Sequence, residues 1–220
     1  MPMKNDREYR DMRLDIVTRL DDDEIEELAE ERKLVAGYAS TFNEPYTLYS
    51  DDEIIFREQV DANAFADTDM SDVIMQYNHE GRVFARVTNK TLDVSTDEKG
   101  LFIEADLGGT ELGRQLYEEI RGGYTDKMSF GFIVSSDDVT REELEDGRVD
   151  YLRTITGISK LFDVSAVSIP ANDATSISVR NLTDGVIEQI RAERLEAERI
   201  ETERRRAEVR ARAILSGGNK

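Results

Sequence analysis

Cysteine is absent from this chain of 220 residues, and histidine occurs only once, at position 79. Without cysteine the protein has no disulfide, no thiol nucleophile and no thiolate ligand for zinc. A single histidine leaves only carboxylates to complete a zinc site, which makes a zinc hydrolase a poor candidate. We therefore expect neither a metal ion nor a cofactor.

Long hydrophobic runs and an excess of positive charge are also missing. No segment approaches the roughly 20 apolar residues that cross a membrane, and the N-terminus lacks the apolar core of an export signal. The net charge of −19 disfavours nucleic acid and anionic membranes as partners, because phosphate binding needs a basic surface. We expect a cytoplasmic protein that binds neither, although a basic protein partner is compatible with its charge.

One segment after a pair of glycines has the pattern of a half-buried strand. Large apolar side chains alternate there with small residues, in the order Met128, Ser129, Phe130, Gly131, Phe132. This two-residue period predicts a β-strand with one face in a core. Ser129 then lies on the opposite face, beside a glycine that allows another group to approach the backbone closely.

The composition limits which residues can activate Ser129. A serine hydroxyl needs a base to remove its proton, normally a histidine, and a third group to orient that base. His79 follows a strand-like run and precedes a turn, where a side chain can leave the core on a fixed backbone. Among 48 acidic residues, Asp163 stands out as the lone acid in an apolar strand, a costly position unless it is hydrogen-bonded or paired.

Taken singly, each of these three residues has an ordinary structural explanation. His79 fits a surface or core histidine with satisfied hydrogen bonds, and Ser129 fits a small packing residue. Asp163 fits a buried cap or a salt-bridge partner. The catalytic interpretation rests on the three occurring together, within the motifs that follow.

These segments resemble the prohead maturation proteases of tailed bacteriophages, which are relatives in fold of the herpesvirus capsid protease. The matching motifs, in the order of that family, are a strand ending at Asn78-His79, a hairpin at 97–101, a helix at 111–120 followed by Arg121-Gly122-Gly123, the serine motif at 128–132, and a strand at 161–165 leading into Pro170-Ala171-Asn172. The resemblance covers roughly residues 12–180. Relatives often carry glutamate where this chain has Asp163.

The resemblance implies a serine endopeptidase that acts through an acyl-enzyme. His79 is then the base, Ser129 the nucleophile and Asp163 the group that orients the histidine, with backbone N–H groups of Ala171 and Asn172 as the oxyanion hole. The implied substrates are scaffolding protein, the major capsid protein and the protease itself, cleaved inside the assembling prohead in the host cytoplasm. A homo-oligomer is left open. The alternative is a catalytically inactive scaffolding protein that binds capsid subunits through a C-terminal helix.

The pattern of elements predicts a mainly β (α+β) fold. Eight or nine short strands with few helices favour a closed or nearly closed antiparallel β-barrel with a few flanking helices. We expect a first strand at Met12 to Leu20 and an acidic loop from Ser136 to Asp150. Thr110 should cap a helix over Glu111 to Ile120, which ends at the following glycine pair.

Three regions follow from changes in composition. We predict a flexible N-terminus over residues 1–11, a protease domain over 12–182 and a charged helical tail over 183–220. Residues 186–215 contain no proline or glycine and carry Glu–Arg pairs four apart, which favour an exposed helix. Arg194 and Arg204 interrupt any heptad stripe, so a single helix that docks on another surface is favoured over a coiled coil.

Overall fold

A computed structural model of the chain describes residues 7–12, 32–168, 191–192, 195–196 and 199–205. Within these residues the strands are β1 Glu8–Met12, β2 Leu34–Thr41, β3 Tyr46–Ser50, β4 Ile54–Val60, β5 Ile74–Tyr77, β6 Glu80–Arg86, β7 Leu92–Thr96, β8 Gly100–Asp106, β9 Lys127–Glu143 and β10 Val149–Val167. A helix, α1, covers Glu111–Arg121 between β8 and β9. The mainly β character predicted from the sequence is therefore confirmed.

The strands of the described residues form two sheets and no closed barrel. The larger sheet has the order β1-β9-β10-β4-β3, with β5 pairing β10 and β6, and the smaller has the order β2-β8-β7. The prediction of a barrel is thus wrong. Alternation predicts strands and their buried face equally well in barrels and in stacked sheets, because the pattern does not encode which strands pair.

Strand β10 is the centre of the larger sheet. It pairs antiparallel with β9 along most of its length, parallel with β4 near its beginning and parallel with β5 near its end. The acidic residues predicted as a loop mostly continue β9, which reaches Glu143 with exposed side chains, so the connection is short. Backbone pairing with β10 outweighs the weak strand preference of these acidic residues.

The first strand lies earlier in the chain than its sequence predicted. β1 pairs antiparallel with β9 from Glu8 to Met12, so four of its five residues lie within the stretch 1–11 expected to be a flexible N-terminus. The reason is electrostatic, because Arg10 is 2% exposed and lies among acidic side chains of the same sheet. Residues 13–20, which complete the predicted strand, lie outside the described residues.

One hydrophobic core joins both sheets and the helix. It contains Met75 from β5, Phe130 from β9, Ile103 from β8 and Leu116 from α1. Helix α1 begins as predicted, since the Thr110 hydroxyl accepts a hydrogen bond from the Gly113 N–H at 2.9 Å. The core face of β9 is therefore fixed by packing, and its other face is left for polar groups.

The predicted tail falls mostly outside the described residues. The parts of it that are described, 191–192, 195–196 and 199–205, have helical backbone and exposed side chains. A continuous charged helix over 183–220 and the boundary near 182 stay predictions. Among the described residues, no helix is long and apolar enough to span a membrane.

Candidate active site

His79 lies in a two-residue turn between β5 and β6. Tyr77 pairs with Glu80 across the turn, and Asn78 and His79 both have a positive φ, of 50° and 58°. Such turns match the twist of the flanking strands and require left-handed backbone at both central positions. The Asn78 N–H donates to the carbonyl of Ala166 on β10 at 2.9 Å, which ties the turn to the sheet.

Ser129 lies on β9 with its side chain on the face opposite the core. Its neighbours Met128 and Phe130 are completely buried in the hydrophobic core, as the two-residue period predicted. Ser129 itself has no exposed surface. Directly across the sheet lies Ser165 of β10, so both hydroxyls are on the same face.

Asp163 lies on β10, directly opposite Gly131 of β9. Its carboxylate is fully buried and hydrogen-bonded, as its apolar sequence context required. Ser165 donates to Asp163 Oδ1 at 2.8 Å, and Arg7 forms an ion pair with Oδ2. Burial opposes the ionised form and would raise the pKa of Asp163, but His79, Ser165 and Arg7 outweigh it and hold that pKa below its ordinary value.

The three side chains singled out from the sequence lie together in one hydrogen-bonded chain. His79 Nδ1 is 2.6 Å from Asp163 Oδ1, and His79 Nε2 is 2.5 Å from Ser129 Oγ. An ionised Asp163 has no proton to give, so Nδ1–H is the donor of the first contact. Nε2 then presents its lone pair to the serine hydroxyl, which is the geometry of a nucleophile, a base and a group that orients the base.

Gly131 makes this arrangement sterically feasible. A Cβ on residue 131 would lie 2.5 Å from Asp163 Oδ2 and 2.8 Å from Cε1 of Tyr9. The close approach expected beside Ser129 is therefore confirmed, and the approaching group is the carboxylate.

Strand β1 and Arg7, the residue just before it, bring two side chains that the sequence did not reveal. The Tyr9 ring packs edge-on against the His79 imidazole, with centroids 4.4 Å apart. The Arg7 guanidinium lies 4.9 Å from the centre of the Tyr9 ring and contacts Asp163. No signal marks either residue, because β1 has no hydrophobic alternation.

The other face of β1 enters a buried ionic cluster. Arg10 donates to Glu58 Oε2 at 3.0 Å, and Arg153 donates to the same oxygen at 2.8 Å. Glu8 pairs with both arginines, and the Tyr46 hydroxyl donates to Glu58 Oε1 at 2.6 Å. Burial would raise the pKa of Glu58, but the two guanidinium groups outweigh it and lower that pKa. This cluster holds β1 in the sheet.

Ala171 and Asn172, expected to form an oxyanion hole, lie outside the described residues. Among the other serines on or beside these strands, Ser165 donates its hydroxyl to Asp163, Ser135 is exposed in the middle of β9, and Ser168 is exposed just after β10.

The chain is similar to known proteins of one family. A family model described as the caudovirus prohead serine protease matches residues 19–187. The prohead protease of Enterobacteria phage HK97 is 32% identical over 156 residues, which cover 70% of this chain and 63% of that protein. The chain thus spans a little less than two thirds of the length of this relative. No solved structure matches the chain.

Proposed function

The chain belongs to the family of caudovirus prohead serine proteases, and we propose that it is a serine endopeptidase with His79, Ser129 and Asp163 as its catalytic triad. The observation that carries the proposal is the position of His79. Its two ring nitrogens contact Asp163 and Ser129 at the same time, which a histidine kept only for packing does not need to do.

Asp163 keeps the proton of the imidazole on Nδ1 and stabilises the positive charge that develops on the ring. Nε2 accepts the hydroxyl proton of Ser129 as Oγ attacks the carbonyl carbon of the scissile peptide bond. The imidazolium then gives this proton to the leaving amine as the C–N bond breaks, which leaves an ester on Ser129. Water attacks the ester with His79 again as base, and the serine is released.

The negatively charged oxygen of each intermediate needs N–H donors close to Ser129. In the proposal these donors are the backbone N–H groups of Ala171 and Asn172. This assignment is based on the family resemblance alone. Proteins of capsid assembly are the proposed substrates, namely scaffolding protein, the major capsid protein and the protease itself. Cleavage would then take place inside the prohead, in the host cell.

The test uses the purified full chain and a fluorophosphonate probe. The Ser129 oxygen displaces fluoride from phosphorus, forms an O–P bond and passes its proton to His79. Intact-mass measurement should show one added phosphonyl group on the wild type and none on Ser129→Ala or on His79→Ala. A folded wild type that never gains this mass, beside capsid subunits that it binds but does not cut, would favour the inactive scaffolding protein instead.

A further inference from the structure

The edge of β9 beside Ser129 is a place where an extended peptide can pair. A peptide that adds to a sheet edge satisfies the unpaired N–H and C=O groups there and gains a fixed register. In this molecule β1 fills that position, with Asp11 opposite Ser129 and Tyr9 opposite Gly131. The edge next to the nucleophile is therefore already paired with the chain's own N-terminal strand.

Strand β1, together with Arg7 just before it, also engages each member of the triad. The Ser129 hydroxyl donates to the backbone carbonyl of Arg10 at 2.9 Å. Tyr9 packs on His79, and Arg7 pairs with Asp163. Ser129 has no exposed surface in this state, so a second peptide cannot reach Oγ while β1 is in place.

The contact between Ser129 and Arg10 is not an attack geometry. Nucleophilic attack needs Oγ above the face of the carbonyl group, close to its carbon, and the carbonyl oxygen turned toward oxyanion donors. Here the carbonyl oxygen itself faces Oγ as a hydrogen-bond acceptor. The hydroxyl has one proton and two acceptors within reach, His79 Nε2 and the Arg10 carbonyl oxygen, so β1 competes for the proton that the base must remove.

We propose that β1 is a built-in inhibitory strand, and that the edge of β9 from Met128 to Phe132 is the surface to which a substrate peptide pairs once β1 has left. This inference rests on the proposed function, because it concerns the regulation of the same site. The predicted occupant after release is an extended segment of a protein substrate, bound antiparallel to β9.

The remaining structure is able to lose β1 without leaving a buried charge unpaired. Glu58 keeps Arg153 and the Tyr46 hydroxyl as partners when Arg10 departs. Asp163 keeps His79 and Ser165 when Arg7 departs. Release therefore opens a sheet edge and exposes Ser129, while the pairings that orient the triad persist.

The absence of cysteine allows a reversible test in the full chain. Met12 lies directly opposite Met128, and facing residues of antiparallel strands have Cα atoms about 4.5–5.5 Å apart, a separation that a disulfide spans. The variant Met12→Cys/Met128→Cys ties β1 to β9 when oxidised and releases it when reduced. Labelling of Ser129 by the fluorophosphonate is then timed in both states.

A matched variant controls for distortion beside the nucleophile. Ala166 faces Met128 from the other side, on β10, so Met128→Cys/Ala166→Cys places a disulfide at the same residue without tying β1. We expect oxidation to slow labelling at least ~20-fold in the β1 variant, full recovery on reduction, and less than ~3-fold change in the β10 variant.

Each other outcome has a definite meaning. Equal labelling of the oxidised and reduced β1 variant would overturn the inhibitory role of β1 and leave the proposed function intact. Equal slowing in both disulfide variants would overturn it too, since distortion would then explain the effect. Absence of labelling in every form, wild type included, would overturn the proposed function, and the inference would fall with it.

Discussion

The Asp163 carboxylate occupies the space that a side chain on Gly131 would need. The separation between an added Cβ and Asp163 Oδ2 would be only 2.5 Å, far below contact distance. Because Asp163 is opposite Gly131 in the β9–β10 ladder, a side chain on residue 131 would displace the carboxylate. The glycine thus sets the position of the group that orients His79.

We predict that Gly131→Ala lowers kcat/KM about 100-fold, since misplacement of a catalytic group by ~1 Å can cost that much. Gly157→Ala is the matched control. It also lies in the β9–β10 pair, but its Cβ would meet the hydroxyls of Ser135 and Ser136, away from the triad. Steady-state kinetics of both folded variants should separate them, and similar losses in the two would count against this role for Gly131.

Removal of either reacting side chain should abolish proteolysis. Ser129→Ala and His79→Ala should lose activity to the same background, because nucleophile and base act as one unit. The measurement is cleavage of a capsid or scaffold substrate, with circular dichroism to confirm folding. Wild-type rates in either variant would rule out the triad.

Asp163 should tolerate a change of length better than a loss of charge. Asp163→Asn removes the charge that stabilises the imidazolium and favours the wrong tautomer, and we expect a loss of about 10⁴-fold in kcat. Asp163→Glu should retain more activity, as relatives often carry glutamate there. The order of the two rates is the result to compare, and a fully active Asp163→Asn would require another orienting group.

Glu58 should make stability depend on pH. Its pKa in the folded protein is lowered. The ionised group therefore stabilises the fold at pH values above its pKa in the unfolded chain, which is about 4.3. That contribution is lost as pH falls through the lowered folded pKa. Glu58→Gln should therefore reduce the free energy of unfolding by about 3 kcal/mol at pH 7, because it removes the negative charge from a buried ion pair and leaves the positive charges there less well compensated.

Chemical denaturation at pH 7 and at pH 4 checks this prediction. The difference in the free energy of unfolding between wild type and Glu58→Gln should be smaller at pH 4 than at pH 7. The control is Glu98→Gln in the exposed turn before β8, which should change stability by less than about 0.5 kcal/mol. A gap that widens toward acid would contradict the assigned direction of the Glu58 pKa.

The tail is predicted to direct the enzyme to its assembly site rather than to take part in catalysis. Truncation after Asp184 should preserve cleavage of a short peptide and reduce association with the assembling shell, most clearly at low salt, where charge-based docking is strongest. Peptide cleavage and co-sedimentation with proheads, measured on full and truncated chains, provide the comparison. Loss of peptide cleavage in a folded truncated chain would contradict this separation of roles.

The candidate residues of the site could be chosen from the sequence by their context and by the motifs of the family that the chain resembles. The single histidine, a serine in an alternating strand and a lone acid in an apolar strand each have an ordinary explanation, and only their occurrence together in those motifs favours a catalytic role. Their distances could not be predicted, since they depend on the parallel pairing of β5 with β10 and on the turn at Asn78 and His79. Neither feature has a local hydrophobic pattern.

The errors in the fold prediction have the same cause, since local sequence patterns do not show which strands pair. The period of two in β9 gave its buried face correctly, but closure into a barrel depends on strand order, which only long-range pairing determines. β1 was missed because its stability comes from the ionic contacts of Arg10 with Glu58 rather than from apolar burial. A short polar strand held by partners distant in sequence looks like a loop.

Successive side chains from Arg7 to Arg10 point alternately to two different environments, and a deep mutational scan should detect this alternation. Arg7 and Tyr9 face His79 and Asp163, so substitutions there should change the rate of substrate turnover while cellular abundance stays the same. Glu8 and Arg10 face the buried ionic cluster, so substitutions there should change abundance instead. Four consecutive positions would then show phenotypes that alternate between rate and abundance, a two-residue period produced by function on one side of the strand and by stability on the other.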